Sequence, residues 1–203
     1  MAKKQIFIVR HGETEFNKLN IVQGSGVDMA INEHGLAQAQ KFYEWYKNHP
    51  FQHVFISALQ RTYQSVQPFI ENGIPYTVLP QLNEISWGDF EGKQQTDTQR
   101  TLYWETVAQW NAGNLQAKIP NGESPLELQA RQKEVLPYLF DNPHEHVLVC
   151  MHGRAMKSFL CLLLNKPLTQ MEEYKHTNLC VYHLEFDGEK CHLIKSNDTS
   201  HLQ

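Results

Sequence analysis

The sequence has no apolar run long enough to span a bilayer. Met1-Ala-Lys-Lys leads directly into a predicted strand, without the apolar segment that defines a signal peptide. These two absences argue against a membrane partner and against secretion. We therefore expect a cytoplasmic protein.

Cysteine is scarce, and none of the four residues belongs to a Cys-x-x-Cys pair. This absence argues against a thiolate metal site and against a dithiol redox site. Isolated thiols inside apolar segments are typical of buried cysteines in a reducing compartment. The four are Cys150, Cys161, Cys180 and Cys191.

Positive charge is also in short supply. Lysine and arginine total 18 against 22 aspartate and glutamate residues, and no basic run occurs. The formal net charge of -4 argues against a nucleic-acid partner, so a bound anion must be attracted by a local group of cations. The sequence gives no indication of oligomeric state.

Apolar content is sufficient for an ordinary core. With 203 residues, of which 41% are apolar, the chain is predicted to form a single domain over residues 1–203. Residues 86–121 break the regular pattern and are predicted to form an insertion or lid, or alternatively a satellite cluster beneath a long excursion. Five aromatic residues lie in this stretch: Trp87, Phe90, Tyr103, Trp104 and Trp110.

Strand signals recur along the rest of the chain. Apolar, β-branched runs predict strands at 5–10, 53–57, 75–79 and 146–151. Two further runs, 181–186 and 191–195, flank Asp187-Gly188 and predict a terminal hairpin.

Helix signals separate these strands. Asn32 is predicted to cap a helix whose buried face carries Leu36, Ala39, Tyr43 and Tyr46. Ser124, Pro125 and Glu127 form a capping-box sequence, which predicts a helix from Pro125 to about Phe140. Helical spacing also follows Leu59 and spans 154–164. The alternation predicts an α/β fold of three layers, α/β/α, with a mostly parallel mixed sheet.

Polar side chains follow the predicted strands where each strand ends. Arg10 and His11 follow the first strand, whose apolar run Ile6 to Val9 is predicted to be buried on both faces. Read alone, Arg10 could cap the strand and His11 could be a satisfied half-buried histidine. Arg61, Glu84 and His152 follow the next three strands. Five polar side chains are thus expected at one edge of the sheet, which favours a ligand site there.

The chemistry of these groups favours a phosphate ligand. Two guanidiniums and two imidazoles repel one another unless a polyanion lies between them, and arginine matches phosphate oxygens in pairs. Amides after Gly12 and Gly153 are further donors. Nearby cations are expected to keep His11 neutral and nucleophilic, and Glu84 is placed to exchange protons with the leaving oxygen and with water.

Four motifs, which together span nearly the whole chain, occur in the same order as in a known protein family. They are Arg10-His11-Gly12-Glu13-Thr14 with Asn17, Ser57-Ala-Leu59-Gln-Arg61-Thr62, Leu82-Asn-Glu84 with Gly88 and Glu91-Gly92, and His152-Gly153. The set resembles the histidine phosphatase superfamily, which is phosphoglycerate mutase-like in fold. The resemblance implies no metal and no cofactor, and His144-Glu-His146 is interpreted as a solvated loop that enters a strand.

The resemblance also implies roles for individual residues. His11 would be the phosphorylated nucleophile and Glu84 the proton donor. Gln23 and Gly24 match a pair that often lies near substrate in the family. The implied phosphate ligands are Arg10, Asn17, Arg61 and His152.

Three positions depart from the family pattern. Met151 replaces the usual hydroxyl residue before the second His-Gly, and Ala30-Ile31-Asn32 replaces Pro-Leu-Thr. Arg154 stands where a small residue is common, and we expect a surface cation there rather than an additional anion contact.

The residues after Glu84, Ile85-Ser-Trp-Gly-Asp-Phe-Glu-Gly92, are more similar to the phosphatase branch than to the mutases. We therefore expect a metal-independent phosphatase that hydrolyses a small phosphorylated metabolite through a phosphohistidine. A phosphoglycerate mutase-type phosphotransferase is the alternative. A non-catalytic phosphate-binding regulator is a further one, although it would be expected to have lost His11, Glu84 or Arg61.

Overall fold

A computed structural model describes residues 3–203 of the chain. The expectation drawn from Met1 and Ala2 lies outside these residues. The strands are β1 (Lys4–Arg10), β2 (His53–Ile56), β3 (Tyr76–Val78), β4 (His146–Met151), β5 (Val181–Phe186) and β6 (Cys191–Asp198). The helices are α1 (Glu15–Lys18), α2 (Glu33–Tyr46), α3 (Gln60–Glu71), α4 (Asp97–Asn111), α5 (Pro125–Lys133), α6 (Leu136–Phe140) and α7 (Gly153–Leu163).

The strands form one six-stranded sheet in the order β3-β2-β4-β1-β5-β6. The pairs β1–β4, β2–β4 and β2–β3 are parallel, whereas β5 runs antiparallel to β1 and to β6. The predicted terminal hairpin is confirmed, and it makes the sheet mixed.

Both faces of the sheet are covered, because side chains alternate along its central strand. Ile6 and Ile8 pack with α5 and α7 in the larger core cluster. Phe7 and Val9 pack with α2 and α3 in the smaller one. The three-layer α/β/α prediction is therefore confirmed, and so is the burial of β1 on both faces.

The prediction for α2 is right about its cap and partly wrong about its face. Asn32 Oδ1 accepts from the Gly35 amide at 2.8 Å, as an N-cap should. The buried positions are Gly35, Ala39, Phe42 and Tyr46, whereas Leu36 is 53% exposed. The rotation follows from close packing at Gly35, where a Cβ atom would lie 2.2 Å from the Glu13 carbonyl oxygen.

The helix predicted from Pro125 to about Phe140 is broken in two. Its capping box is present, since Glu127 Oε2 accepts from the Ser124 amide at 2.8 Å. Its continuity fails because Pro137 has no amide hydrogen and its ring clashes with the carbonyl of residue 133 in a continuous helix. Accordingly α5 ends at Lys133 and α6 begins at Leu136.

Residues 86–121 contain α4 and a set of buried aromatic side chains. Trp110 is fully buried, and its Nε1 donates to the Ala117 carbonyl at 2.7 Å. Trp87 and Phe90 join the larger core cluster, whereas Trp104 is 63% exposed. The segment therefore has a packed inner side and an exposed outer side, and its motion as a lid stays a prediction.

Within residues 3–203, no helix has both the length and the apolar character needed to span a membrane.

Candidate active site

Three parallel strands deliver the predicted residues to one edge of the sheet. Arg10 ends β1 and is followed by His11, while His152 follows β4. Arg61 lies in the first turn of α3, the helix that follows β2. Arg61 and His152 are fully buried and His11 is 2% exposed, so these polar side chains need partners inside the protein or in a ligand.

His11 is held with one ring nitrogen free. Its Nδ1 lies 2.7 Å from the Gly12 carbonyl oxygen and must donate to it, which leaves the lone pair on Nε2. The pKa of His11 is lowered well below 6.5, first by burial and then by the charges of Arg61 and Arg10. The neutral imidazole is thus predicted correctly, but burial contributes more than the cations on which the sequence argument relied.

His152 is fixed in the opposite tautomer. Arg61 Nε donates to its Nδ1 at 3.2 Å, so Nε2 carries the hydrogen and donates to Ser57 Oγ at 2.8 Å. Burial, followed by the charge of Arg61, lowers its pKa well below the ordinary value. The ring centroids of His11 and His152 are 5.2 Å apart. Two neutral imidazoles therefore lie side by side, one with a free acceptor nitrogen.

Arg61 is anchored by backbone carbonyls. Nη1 donates to Val27 at 2.7 Å and Nη2 donates to Gly24 at 3.2 Å. Together with the bond to His152, these contacts use three of its five N–H donors and leave one hydrogen on each terminal nitrogen. Burial lowers its pKa to about 10, so it is charged at neutral pH. A buried cation with two spare donors suits a phosphoryl group.

Arg10 has a buried donor without a partner. Its Nη1 donates to the His176 carbonyl at 2.6 Å, whereas Nε is buried and has no hydrogen-bond partner within the described part of the chain. Gly153 lies against this group, because a Cβ there would be 3.3 Å from Arg10 Nε and 3.1 Å from His176 Nδ1. The absence of a side chain at Gly153 therefore keeps the approach to Arg10 open.

The predicted substrate-binding residues Asn17 and Gln23 both form hydrogen bonds with Thr14, the residue that caps α1. Asn17 Oδ1 accepts from the Thr14 amide at 3.3 Å and from Asn178 Nδ2 at 3.2 Å, and Asn178 also donates to the His11 carbonyl at 3.0 Å. Gln23 is buried and accepts from Thr14 Oγ1 at 3.1 Å. Asn17 is thus connected to the backbone of His11, while Gln23 supports the residue that caps α1.

Gly24 sits where no side chain fits. A Cβ atom there would lie 2.1 Å from Glu91 Oε1 and 2.6 Å from the Ile85 carbonyl oxygen. Its own carbonyl accepts from Arg61, as described above. Gly24 therefore contributes to the site through its backbone carbonyl, which accepts from Arg61.

The side-chain carboxylate of Glu84 lies against the N-terminal end of α7. Its Oε1 accepts from the amides of Ile85 at 2.9 Å and Ala155 at 2.7 Å, and its Oε2 accepts from the Arg154 amide at 3.0 Å. Oε2 therefore keeps a lone pair that can hold a proton. Burial lowers the pKa of Arg10 and Arg61, and the negative charge of Glu84 partly opposes that lowering.

Arg131 holds the backbone of Glu84 and was missed by the sequence argument. Its Nη2 donates to the Glu84 carbonyl at 3.0 Å, and its Nη1 donates to the Gln81 carbonyl at 2.7 Å. Glu123 in turn pairs with Arg131 through Nε at 2.8 Å and Nη2 at 2.9 Å. A Glu and an Arg that flank a capping box were the only signal available. His176, Asn178 and Ser65, whose Oγ accepts from the Gly12 amide at 2.8 Å, were also missed, whereas Ser57 lies in one of the four motifs but had no assigned role.

Arg154 is buried, and the expectation of a surface cation is wrong. It is 7% exposed and pairs with the Glu172 carboxylate. Its Nη2 lies 3.1 Å from the Tyr103 hydroxyl, and its guanidinium carbon lies 5.4 Å from the centroid of the Trp110 ring. Aromatic side chains of residues 86–121 cover it, and these are distant in sequence.

Lys157 shares this carboxylate. Its Nζ contacts Glu172 at 2.8 Å, and burial lowers its pKa to about 8. The two cations of α7 thus pair with one acidic side chain, Glu172.

Within residues 3–203, no three His, Cys, Asp or Glu side chains are grouped so that they could hold a metal ion. His144 stacks on His53 with ring centroids 5.0 Å apart, whereas His146 Nδ1 lies 3.1 Å from His49 Nε2. The two histidines of the His-Glu-His sequence therefore have separate partners.

Comparison with known proteins agrees with this geometry. A model of the histidine phosphatase superfamily (branch 1) matches residues 6–199. A phosphoglycerate mutase of Schizosaccharomyces pombe is 31% identical over 202 residues, which cover 93% of this chain and 93% of that protein. The match confirms the resemblance carried by the four motifs.

Solved structures support the fold. The alpha-ribazole phosphatase of Shigella flexneri matches with a TM-score of 0.83 at 20% identity, over 96% of each chain. The phosphoserine phosphatase of Entamoeba histolytica, in complex with 3-phosphoglyceric acid, matches with a TM-score of 0.83 at 23% identity. That match covers 98% of this chain and 100% of the other. At these identities the likeness shows the fold alone.

Proposed function

The chain belongs to the histidine phosphatase superfamily, branch 1, and from this premise we propose that it is a phosphomonoesterase acting through a phosphohistidine on a small phosphorylated metabolite. One observation carries the proposal. His11 presents a free Nε2 lone pair in a buried setting where burial and two guanidiniums lower its pKa. A neutral imidazole next to fixed positive charge is a nucleophile suited to a phosphoryl dianion.

In the first step, His11 Nε2 attacks the phosphorus atom. Its lone pair forms the N–P bond while the P–O bond to the alcohol breaks and its electrons pass to the leaving oxygen. Protonated Glu84 gives its proton to that oxygen, and the alcohol departs. Hydrogen bonds to the phosphoryl oxygens come from Arg10 Nε and the two spare donors of Arg61.

In the second step, water attacks the phosphohistidine. The Glu84 carboxylate accepts a proton from the water as its oxygen bonds to phosphorus. The N–P bond breaks, its electrons return to Nε2, and inorganic phosphate leaves. Glu84 is again protonated and His11 is again neutral, so the cycle closes without a metal or a cofactor.

The remaining residues act on the groups that react. His152 donates to Ser57 through Nε2 and accepts from Arg61 through Nδ1, so it helps to hold Arg61 in place. Asn17 retains an amide Nδ2 that can donate to a phosphoryl oxygen. Gly153 leaves Arg10 accessible, and Gly24 supports Arg61 through its carbonyl. These are proposed roles for the substrate-binding set.

A phosphoglycerate mutase activity is the second candidate. The mutase of S. pombe, at 31% identity, favours it. Release of phosphate without 2,3-bisphosphoglycerate supports the phosphatase, whereas interconversion of phosphoglycerates that depends on this compound supports the mutase. A purely regulatory phosphate-binding role is less well supported, since His11, Glu84 and Arg61 are all present.

His11→Ala tests the proposal. The parent protein should become labelled by a phosphorylated substrate, and the label should be labile in acid and stable in alkali, as phosphohistidine is. The variant should lose both the label and turnover. His34→Ala is the matched control, because His34 is an exposed histidine of α2. Ordinary turnover by His11→Ala would refute the mechanism.

A further inference from the structure

A pocket of about 460 Å³ opens beside the phosphate-binding groups. Arg10 and Asn17 form part of its wall, so it is continuous with the proposed phosphoryl site. Its volume lies within the range of roughly 300–1,000 Å³ that is usual for small-molecule sites. If the phosphatase function proposed above holds, the organic part of the substrate has room in this pocket.

Beyond Arg10, the pocket offers no unpaired charge. Arg100 contributes to the wall, but its Nη2 is paired with Asp97 at 2.7 Å. His176 is neutral, because burial and then the charge of Arg10 lower its pKa to about 3. Within residues 3–203, no carboxylate side chain lines the pocket. An ammonium group on the substrate would thus lack a counter-ion, and a second anionic group would meet only Arg100, whose Nη2 is already paired with Asp97.

The outer wall of the pocket is aromatic. Trp104 is 63% exposed and meets Tyr103 edge to face, with ring centroids 5.1 Å apart and an angle of 88°. Phe16 and Ile21 lie on the same pocket. An exposed indole beside apolar side chains offers a flat surface on which a ring can stack.

Amide groups complete the wall. Asn20, Gln95 and Asn178 line the pocket, and Gln95 Nε2 is buried with no hydrogen-bond partner in the described part of the chain. A buried donor without an acceptor is costly unless a ligand supplies one. The pocket therefore combines a stacking surface, an unmet donor and, beyond Arg10, no unpaired charge.

We propose that the substrate is the phosphomonoester of an uncharged alcohol that carries a flat heterocycle, as in a phosphorylated nucleoside. The heterocycle stacks on Trp104, and an acceptor on its edge receives the hydrogen of Gln95 Nε2. Arg10 and Arg61 hold the phosphoryl group at the other end. Small charged phosphoesters, such as phosphoserine, lack both the ring and the neutrality that this pocket favours.

Three probes separate these features. Adenosine 5′-monophosphate has an uncharged ring, glucose 6-phosphate is uncharged without an aromatic ring, and phosphoserine is charged. All three have a primary alkoxide as leaving group, so the chemistry of the first step is matched. We expect kcat/KM for the nucleotide to exceed that for each of the other two by roughly tenfold, as stacking on one aromatic side chain provides. A preference for phosphoserine, or equal rates on all three, would overturn the proposal.

Variants locate the effect. Trp104→Ala should reduce kcat/KM for the nucleotide roughly tenfold, mainly through KM, and change glucose 6-phosphate hydrolysis by less than about twofold. Trp104→Phe should recover most of the loss. Trp45→Ala is the matched control, because Trp45 is 60% exposed on α2 and does not line the pocket. A loss of equal size on every probe would mark Trp104 as merely structural and refute its stacking role.

Binding distinguishes failure of this inference from failure of the proposed function. In His11→Ala, adenosine 5′-monophosphate should quench tryptophan fluorescence and glucose 6-phosphate should not, and Trp104→Phe should remove the quenching. Quenching without turnover by the parent protein would keep the pocket assignment and reject the phosphatase. Turnover without quenching would reject the pocket assignment and keep the phosphatase.

Discussion

At His11, a backbone carbonyl determines which ring nitrogen keeps a free lone pair. The Gly12 oxygen takes the hydrogen of Nδ1, so the lone pair lies on Nε2 whatever the substrate is. Arg61 plays the corresponding part for His152, whose Nδ1 accepts from it. The two histidines therefore carry opposite tautomers although each follows a parallel strand and precedes a glycine.

The role of Glu84 is tested by the leaving group. An alkoxide needs a proton as it departs, whereas nitrophenolate can leave without one. Glu84→Gln should therefore reduce kcat/KM for an alkyl phosphate at least about tenfold more than for p-nitrophenyl phosphate. Arg61→Ala should reduce both by similar factors, because every substrate shares the phosphoryl oxygens.

The measurement is the ratio of kcat/KM values, alkyl over aryl, for each variant. kcat/KM reports the first transfer, so slow hydrolysis of the phosphoenzyme does not mask the difference. Equal losses on both substrates for Glu84→Gln would remove it as the acid and direct attention to Glu13, the nearest other carboxylate of the motif.

The cationic residues of the site also predict the response to chelators. In the proposed mechanism, Arg10 and Arg61 supply the positive charge that Mg²⁺ provides in other phosphoryl-transfer enzymes. Excess EDTA should therefore leave kcat/KM unchanged, and added Mg²⁺ should not raise it. Activity that disappears in EDTA and returns with a divalent ion would show that these two guanidiniums are not sufficient.

At the scale of elements, α7 connects the site to residues 86–121. Its first amides hold the Glu84 carboxylate, and its Arg154 side chain lies against Trp110. Arg131 of α5 holds the Glu84 backbone through its carbonyl. Glu84, the proposed proton donor, is thus held by residues of two helices.

Trp110 should therefore contribute far more to the free energy of unfolding than the exposed Trp104. Trp110→Ala removes a fully buried side chain and leaves the Ala117 carbonyl without its donor, so we expect a loss of about 3–5 kcal/mol in the free energy of unfolding. Trp104→Ala should change that free energy by less than about 0.5 kcal/mol.

Urea unfolding of the two variants makes the comparison. If Trp110→Ala were as stable as the parent, residues 86–121 would form a layer separable from the core. Similar losses for both variants would contradict the division into inner and outer sides.

At the scale of the whole molecule, buried neutral histidines should make the fold sensitive to acid. Burial is the largest cause of a lowered pKa at His11, His49, His53, His152, His176, His183 and His201. These side chains take up a proton near pH 6.5 when unfolded but not when folded, so the unfolded state binds more protons below that pH. The contribution of these histidines to stability is therefore fully present above about pH 6.5. It is lost as the pH is lowered towards the pKa values of the folded state, which are about 4 at His49 and about 3 at His176.

The size of the effect can be measured by urea titration. His11 and His152 are fully shielded, and each should contribute a loss of about 1.4 kcal/mol per pH unit below about pH 6.5. The urea midpoint should thus fall steadily between about pH 6.5 and about pH 5, and His152→Asn should show a shallower slope. A midpoint that stays constant over this range and falls only where carboxylates titrate would contradict the prediction.

Although α1 and α4 were not predicted, the sequence by itself determined the order of the strands, most of the helices between them, the mostly parallel sheet and the motif that contains the proposed nucleophile. These are local: β-branched runs define β1 and β4, capping residues begin α2 and α5, and the polar residues follow strand ends that a parallel sheet brings together. Pro137 shows the same kind of rule acting within one helix, and it could have been applied before the structure was known.

Only the tertiary structure decided which atoms meet. Arg154 follows Gly153 as a surface residue would, and it is buried because Trp110 and Glu172, far away in sequence, close over it. Leu36 fits the apolar period of α2 but faces solvent, because Gly35 must lie against the backbone of Glu13. Burial of this kind depends on what the rest of the chain packs above a residue, and no local spacing contains that information.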